Sequence, residues 1–105
     1  MKRFSAEKEK ISPEIMEDLE KIKSILCHYG ATKIILYGSL VRGDYKADSD
    51  IDMCYEGLPD ENYFRAMAEC IMNTRKRVSI LDFESIKGYL KQRISKEGKL
   101  LYEHK

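Results

Sequence analysis

YGSLVRGDYKADSDID, running from Tyr37 to Asp52, is the stretch that decides the fold of this chain. The apolar run Ile34, Ile35, Leu36 and Tyr37 reads as a strand and stops at Gly38 and Ser39. Ten residues later Asp50 and Asp52 open a second strand-like run. Residues two apart on a strand share a face, so the two carboxylates point the same way. Ionised together they repel, and one of them should have a raised pKa unless a cation intervenes. Magnesium suits such a pair, because it takes hard oxygen ligands and is often completed by nucleotide phosphates. Two such ions can clamp the attacking and leaving oxygens of a displacement at phosphorus. The other half of the stretch suits the phosphates. Gly38 lets backbone approach a ligand, and a short helical turn from Ser39 through Leu40, Val41 and Arg42 would present free amides and a hydroxyl.

If each fixed residue occurs at roughly one position in fifteen, Gly-Ser and Asp-x-Asp at this separation arise by chance about once in tens of thousands of positions. Both halves also fall at the ends of apolar runs. At these residues, with Arg42-Gly43-Asp44 and Ser49 between, the chain resembles the minimal nucleotidyltransferases, small members of the polymerase-beta-type nucleotidyltransferase superfamily. The resemblance implies a nucleotidyltransferase fold and transfer of a nucleoside monophosphate, AMP from ATP, onto a hydroxyl. It makes Asp50 and Asp52 the catalytic metal ligands for two magnesium ions. Gly38, Ser39, Arg42 and Ser49 become the nucleotide-binding set. Members of this family are frequently antitoxins of HEPN-domain ribonuclease toxins and modify a tyrosine of that partner. The resemblance therefore implies a HEPN-type protein as acceptor.

One position departs from the family pattern. The third strand usually carries an early acidic residue that helps activate the acceptor, in a run similar to Arg-Val-Asp-Leu-Val-Asp. Here the run is Arg77, Val78, Ser79, Ile80, Leu81, Asp82. Ser79 stands at the acidic position, and serine is no general base at neutral pH. Asp82 is the remaining candidate for a third carboxylate, but its opposite strand parity requires a bulge or bend. Loss of a general base costs on the order of 100 to 10,000 fold in rate. A second reading follows, in which the domain binds nucleotide or its partner and acts by occlusion without chemistry.

The remaining composition narrows the field. The 105 residues fit one domain, 1–105, with the charged segment 1–11 loosely ordered. Nineteen basic and 18 acidic side chains leave a net charge of +1. That balance gives no nucleic-acid or membrane footprint. Arg75, Lys76 and Arg77 form the densest basic group and read first as a solvated helix end. No apolar run approaches the ~20 residues of a membrane span, and the start lacks a signal-peptide core, so a cytoplasmic location is expected. Cys27, Cys54 and Cys70 are scattered, without a C-x-x-C, and read as reduced, mostly buried thiols. His28 and His104 lie far apart and suggest no shared site.

In chain order, Ser12 and Pro13 begin an amphipathic helix whose buried stripe is Ile15, Leu19, Ile22 and Leu26, ending at Gly30. Lys33 to Tyr37 is the first strand. The link to the second is too short for a parallel crossover, so these two strands should be antiparallel. After Pro59 a helix buries Phe64, Met67, Ala68 and Ile71 and leads to a parallel third strand, Val78 to Leu81. A last helix from about Phe83 buries Phe83, Ile86, Leu90 and Ile94 and ends at Gly98, and the tail Leu100 to Tyr102 docks. The predicted class is α+β, in the order αβαβαβα, with a small mixed three-stranded sheet packed against helices.

Roles within the motif divide. Arg42 is balanced between phosphate and a neighbouring carboxylate, and Ser49 orients the loop in preference to touching substrate. Asp44 and Asp48 read as solvated, and Tyr37 as packing. Three strands and three helices leave nothing to build an acceptor pocket, so another chain must supply it. A homo-oligomer could do so, and transfer to a small molecule is the weaker third alternative.

Overall fold

The computed structural model describes residues 1–5 and 11–104. Helix α1 spans Pro13–His28, strand β1 Lys33–Tyr37, the short helix α2 Ser39–Arg42 and β2 Ile51–Glu56. A 3-10 turn, Asp60–Asn62, leads into α3, Tyr63–Asn73; then come β3, Val78–Asp82, a second 3-10 turn, Phe83–Ser85, α4, Gly88–Glu97, and β4, Lys99–Glu103.

The sheet has four strands, not the three predicted, in the order β3-β2-β1-β4. The expected antiparallel β1–β2 and parallel β2–β3 pairings are both present. The correction concerns the tail: Lys99–Glu103 does not merely dock but pairs antiparallel with β1. Lys2 and Phe4 then bond to Leu100 along the outside of β4, at 2.8 Å each. The 1–11 segment expected to be loose thus starts with chain fixed to the sheet, while residues 6–10 lie outside the described residues.

β1 and β2 sit centrally and are buried on both faces, which is why their apolar runs are nearly continuous. On one face Ile34, Leu36, Ile51 and Met53 meet α1 and α3. On the other, Ile35, Cys54 and Leu100 meet Ile86 and Ile94. Burial pushes the Cys54 and Cys70 thiols up to about 12 and about 11, in keeping with inert core thiols. No helix of the described residues is long and apolar enough to cross a membrane.

α1 starts as its sequence requires. The Ser12 hydroxyl accepts the Ile15 N–H at 3.3 Å, Pro13 fills the first turn, and Ile15, Leu19, Ile22 and Leu26 are buried. Two other helices differ from expectation. α3 buries Ala66 and Cys70, with Tyr63 and Met67 against the core, and turns Phe64, Ala68 and Ile71 to solvent. α4 begins at Gly88, not near Phe83. The Asp82 carboxylate accepts the Glu84 N–H at 3.0 Å and closes a separate 3-10 turn, after which Ile86 and Lys87 are extended. Phe83 and Ile86 therefore reach the second core from outside the helix, and Leu90 is left part-exposed. Gly98 ends α4 by close approach, since a Cβ there would lie 2.7 Å from Ile35 Cγ2.

Candidate active site

β1 delivers the chain to Gly38, whose φ of 81° belongs to the left-handed region that side chains avoid. A Cβ at Gly38 would also run into the Asp52 carboxylate across the ladder. Only glycine lets the turn and that acid share the space. α2 follows at once, with Val41 and Arg42 donating to the Gly38 carbonyl. Its first amides have no acceptor within the helix.

The return loop is pinned at several points. The Ser49 hydroxyl accepts the Lys46 N–H, and the Ser49 N–H donates to the Lys46 carbonyl, both at 3.0 Å. Lys76 Nζ donates to the Ala47 carbonyl at 2.7 Å and lies 5.8 Å from the centre of the Tyr45 ring. Lys76 is held in turn by Asp18. That carboxylate, 1% exposed on α1, accepts the backbone N–H groups of Arg75 at 3.1 Å and Lys76 at 3.0 Å. A buried charge is tolerable when so bonded. The pattern offered a signal for it, because Asp18 falls on the same helix stripe as Ile15, Leu19 and Ile22.

The motif opens onto a cavity of about 500 Å³. Gly38, Ser39, Arg42, Ser49, Asp50 and Asp52, six of the seven predicted site residues, line it. β2 begins at Ile51, so Asp50 stands just before the strand and Asp52 within it. The opposite wall is α4, through Leu90, Arg93, Ile94 and Glu97. Sequence reasoning missed these, and no local motif identifies them: only the packing of α4 across the sheet brings them there. Arg77, read from sequence as a solvated helix end, also lines the cavity and pairs with Asp50, Nε to Oδ1, at 3.7 Å. Asp48 and Tyr37, read as solvated and as packing, reach it too.

Asp82 is elsewhere. The β2–β3 register is continuous from Ile51 opposite Val78 to Tyr55 opposite Asp82. No bulge re-aims Asp82, which is spent on capping the 3-10 turn. Ser79 lies directly beside Asp52 in the parallel ladder.

Electrostatics favour a cation between the two acids. Burial, reinforced by the Asp50 charge, raises the Asp52 pKa, and Arg42 only partly offsets this. The Tyr37 hydroxyl is pushed up to about 12 by burial and by Asp52, so it remains a neutral donor. Arg42 is drawn toward Asp44, Nε to Oδ1, at 3.6 Å, and Arg93 toward Glu97 at 3.6 Å. Among the described residues no group of three or more His, Cys, Asp or Glu side chains could hold a metal. The donor set is thus two hard carboxylates. It fits a magnesium ion that borrows further oxygens from phosphate, and not a closed structural site.

Comparison with known proteins agrees with this geometry. A family model described as polymerase beta nucleotidyltransferase matches residues 20–105. A candidate protein adenylyltransferase of Methanocaldococcus jannaschii is 32% identical over 69 residues, which are 66% of this chain and 53% of that protein. The chain spans about half the length of this curated relative. Among solved structures, a toxin–antitoxin assembly with AMP-PNP superposes with a TM-score of 0.69 at 23% identity, over 83% of this chain and 74% of the other. A complex of a tri-AMPylated Shewanella oneidensis HEPN toxin with an MNT antitoxin gives 0.63 at 20% identity, over 84% and 71%. These superpositions establish the shared fold.

Proposed function

We propose that this chain, which belongs to the polymerase beta nucleotidyltransferase family, transfers AMP from ATP to a hydroxyl of a HEPN-type partner protein and thereby acts as an antitoxin. The observation that carries the reading is the Asp50–Asp52 pair on the cavity wall beside the Gly38 turn, with the Asp52 carboxylate already strained by burial and by its neighbour. Asp50 and Asp52 would hold magnesium, which when bound neutralises charge developing on the transferred phosphoryl group. Ser39 and the first amides of α2 bind the triphosphate, and Ser49 fixes the loop that carries Asp50. Arg42, Arg77 and Arg93 supply positive charge around the phosphates. The adenylyltransferase relative supports AMP as the group moved. The AMP-PNP and AMPylated-toxin complexes support ATP as donor and a HEPN protein as acceptor.

A second reading is favoured by one observation: Ser79 sits beside Asp52 where an acid would be useful, and Asp82 is occupied. In that reading the domain neutralises its partner by binding alone. Incubation with alpha-labelled ATP, magnesium and the HEPN-type protein should label that protein. Absence of transfer, under conditions where a related enzyme is active, sinks the catalytic reading. Asp50→Asn and Asp52→Asn that still form the complex yet lose neutralisation support chemistry; variants that still neutralise support occlusion.

A further inference from the structure

Helix α3 has two apolar faces, and the fold uses one. Phe64 and Met72 are 82% and 81% exposed and Ile71 70%. Together with exposed Ala68 they follow the spacing of a single helix face, about 165° round from the buried Ala66 and Cys70. Isolated exposed apolar residues are ordinary, whereas a contiguous stripe marks a contact surface.

The stripe is nearly symmetric about its smallest member. α3 runs from Tyr63 to Asn73, which makes Ala68 its midpoint. Phe64 and Met72 flank Ala68 one helical turn to either side, and exposed Glu61 and Arg75 lie equally far beyond the two helix ends. We propose that this face is the seam of a two-fold homodimer in which the α3 helices of two copies pack antiparallel across Ala68.

Two-fold interfaces use one patch twice, so the patch must be its own complement. This one is. Turned end for end, Phe64 meets the partner subunit's Met72, and Glu61 faces the partner subunit's Arg75. Ile71 meets the partner subunit's Arg65, whose aliphatic stem can cover it. Ala68 at the crossing point lets the helices approach toward the lower end of the roughly 8–10 Å range. A parallel arrangement would set acid on acid and arginine on arginine. The charge order therefore selects a second, antiparallel copy of this chain. The seam lies in the α1–α3 layer, across the sheet from α4, so pairing leaves the cavity open.

Sedimentation velocity of the whole chain over a concentration series tests this. The wild type should dimerise reversibly, and Ala68→Glu, a change at an exposed position, should raise the dissociation constant at least tenfold with the circular dichroism spectrum unchanged. Glu61→Arg and Arg75→Glu should each weaken the dimer, and the double variant should restore it, a rescue that misfolding cannot mimic. In a Cys27→Ser background, Ala68→Cys should cross-link to itself on mild oxidation. A chain monomeric at all concentrations, or a dimer indifferent to Ala68→Glu, overturns the proposal. So does an α3 face protected from hydrogen exchange only when a different protein is added.

Discussion

Tyr37 and Asp52 are partners in the antiparallel β1–β2 ladder, so the hydroxyl that ends one strand and the carboxylate near the start of the next share one half-buried wall of the cavity. The Asp52 charge adds to burial in raising the proton affinity of the Tyr37 hydroxyl. Tyr37→Phe should remove a donor from the cavity while leaving the ladder intact. Stability should change by no more than about 1 kcal/mol. Steady-state kinetics should show a several-fold rise in KM for nucleotide at little change in thermal midpoint.

Asp52 folds with its pKa raised, so the folded chain binds a proton more readily than the unfolded chain. Its contribution to stability is therefore best below the unfolded value and declines as pH rises through the folded one. At neutral pH, without metal, Asp52→Asn should raise the melting temperature, and the gain should disappear near pH 3. Magnesium with nucleotide should stabilise the wild type and not this variant. In the wild type that ligand-induced shift should shrink as acid protonates Asp52. Melting curves across pH, with and without ligand, check all three outcomes.

Gly38→Ala places a methyl group where the Asp52 carboxylate stands and forces a left-handed backbone on alanine. The backbone cost alone is about 1–3 kcal/mol. Transfer should fall by two orders of magnitude or more while the far-UV spectrum stays folded. Activity close to wild type would show that the turn is not close to the reacting groups.

Asp18→Ala strips the acceptor from two backbone amides beneath the surface. Chemical denaturation should register a loss of about 2–4 kcal/mol, because charged acceptors contribute more than neutral ones and the amides are left unpaired. Asp18→Asn keeps one oxygen and should lose less. Lys76→Met removes the strut to the Ala47 carbonyl and the charge over the Tyr45 ring, and leaves the backbone bonds to Asp18 in place. It should weaken nucleotide binding several-fold at nearly unchanged stability, readable by titration calorimetry.

Ser79→Asp puts a carboxylate beside Asp52 in the existing register. A gain in transfer rate of at least tenfold is expected if the acceptor lacks a base in the wild type. An unchanged rate would mean that proton removal is supplied from another group.

Much of this was legible in the residues. The α1 stripe, the antiparallel first pair and the parallel third strand follow from periodicity and loop length, whereas the β2–β3 register that sets Ser79 beside Asp52 appears only in the fold. The motif residues share one cavity because strand alternation and the Gly38 turn leave them little choice. α3 was misread because its apolar residues fit two helical faces, and periodicity cannot say which meets the sheet. β4 was read as a docking tail because five residues carry too short a pattern to reveal a pairing partner. Arg77, Arg93 and Glu97 reach the cavity through long-range packing, on which local sequence is silent.

The central strand β1 gains its second neighbour only from β4, separated from it in sequence by β2, α3, β3 and α4. Such distant pairing slows folding, since a long loop must close before the contact is rewarded. A growing chain on the ribosome would hold the nucleotide motif long before the sheet beneath it could be completed. Binding competence should thus appear abruptly with synthesis of the last strand, and a chain stopped before Lys99 should be recovered as an aggregate or a protease substrate.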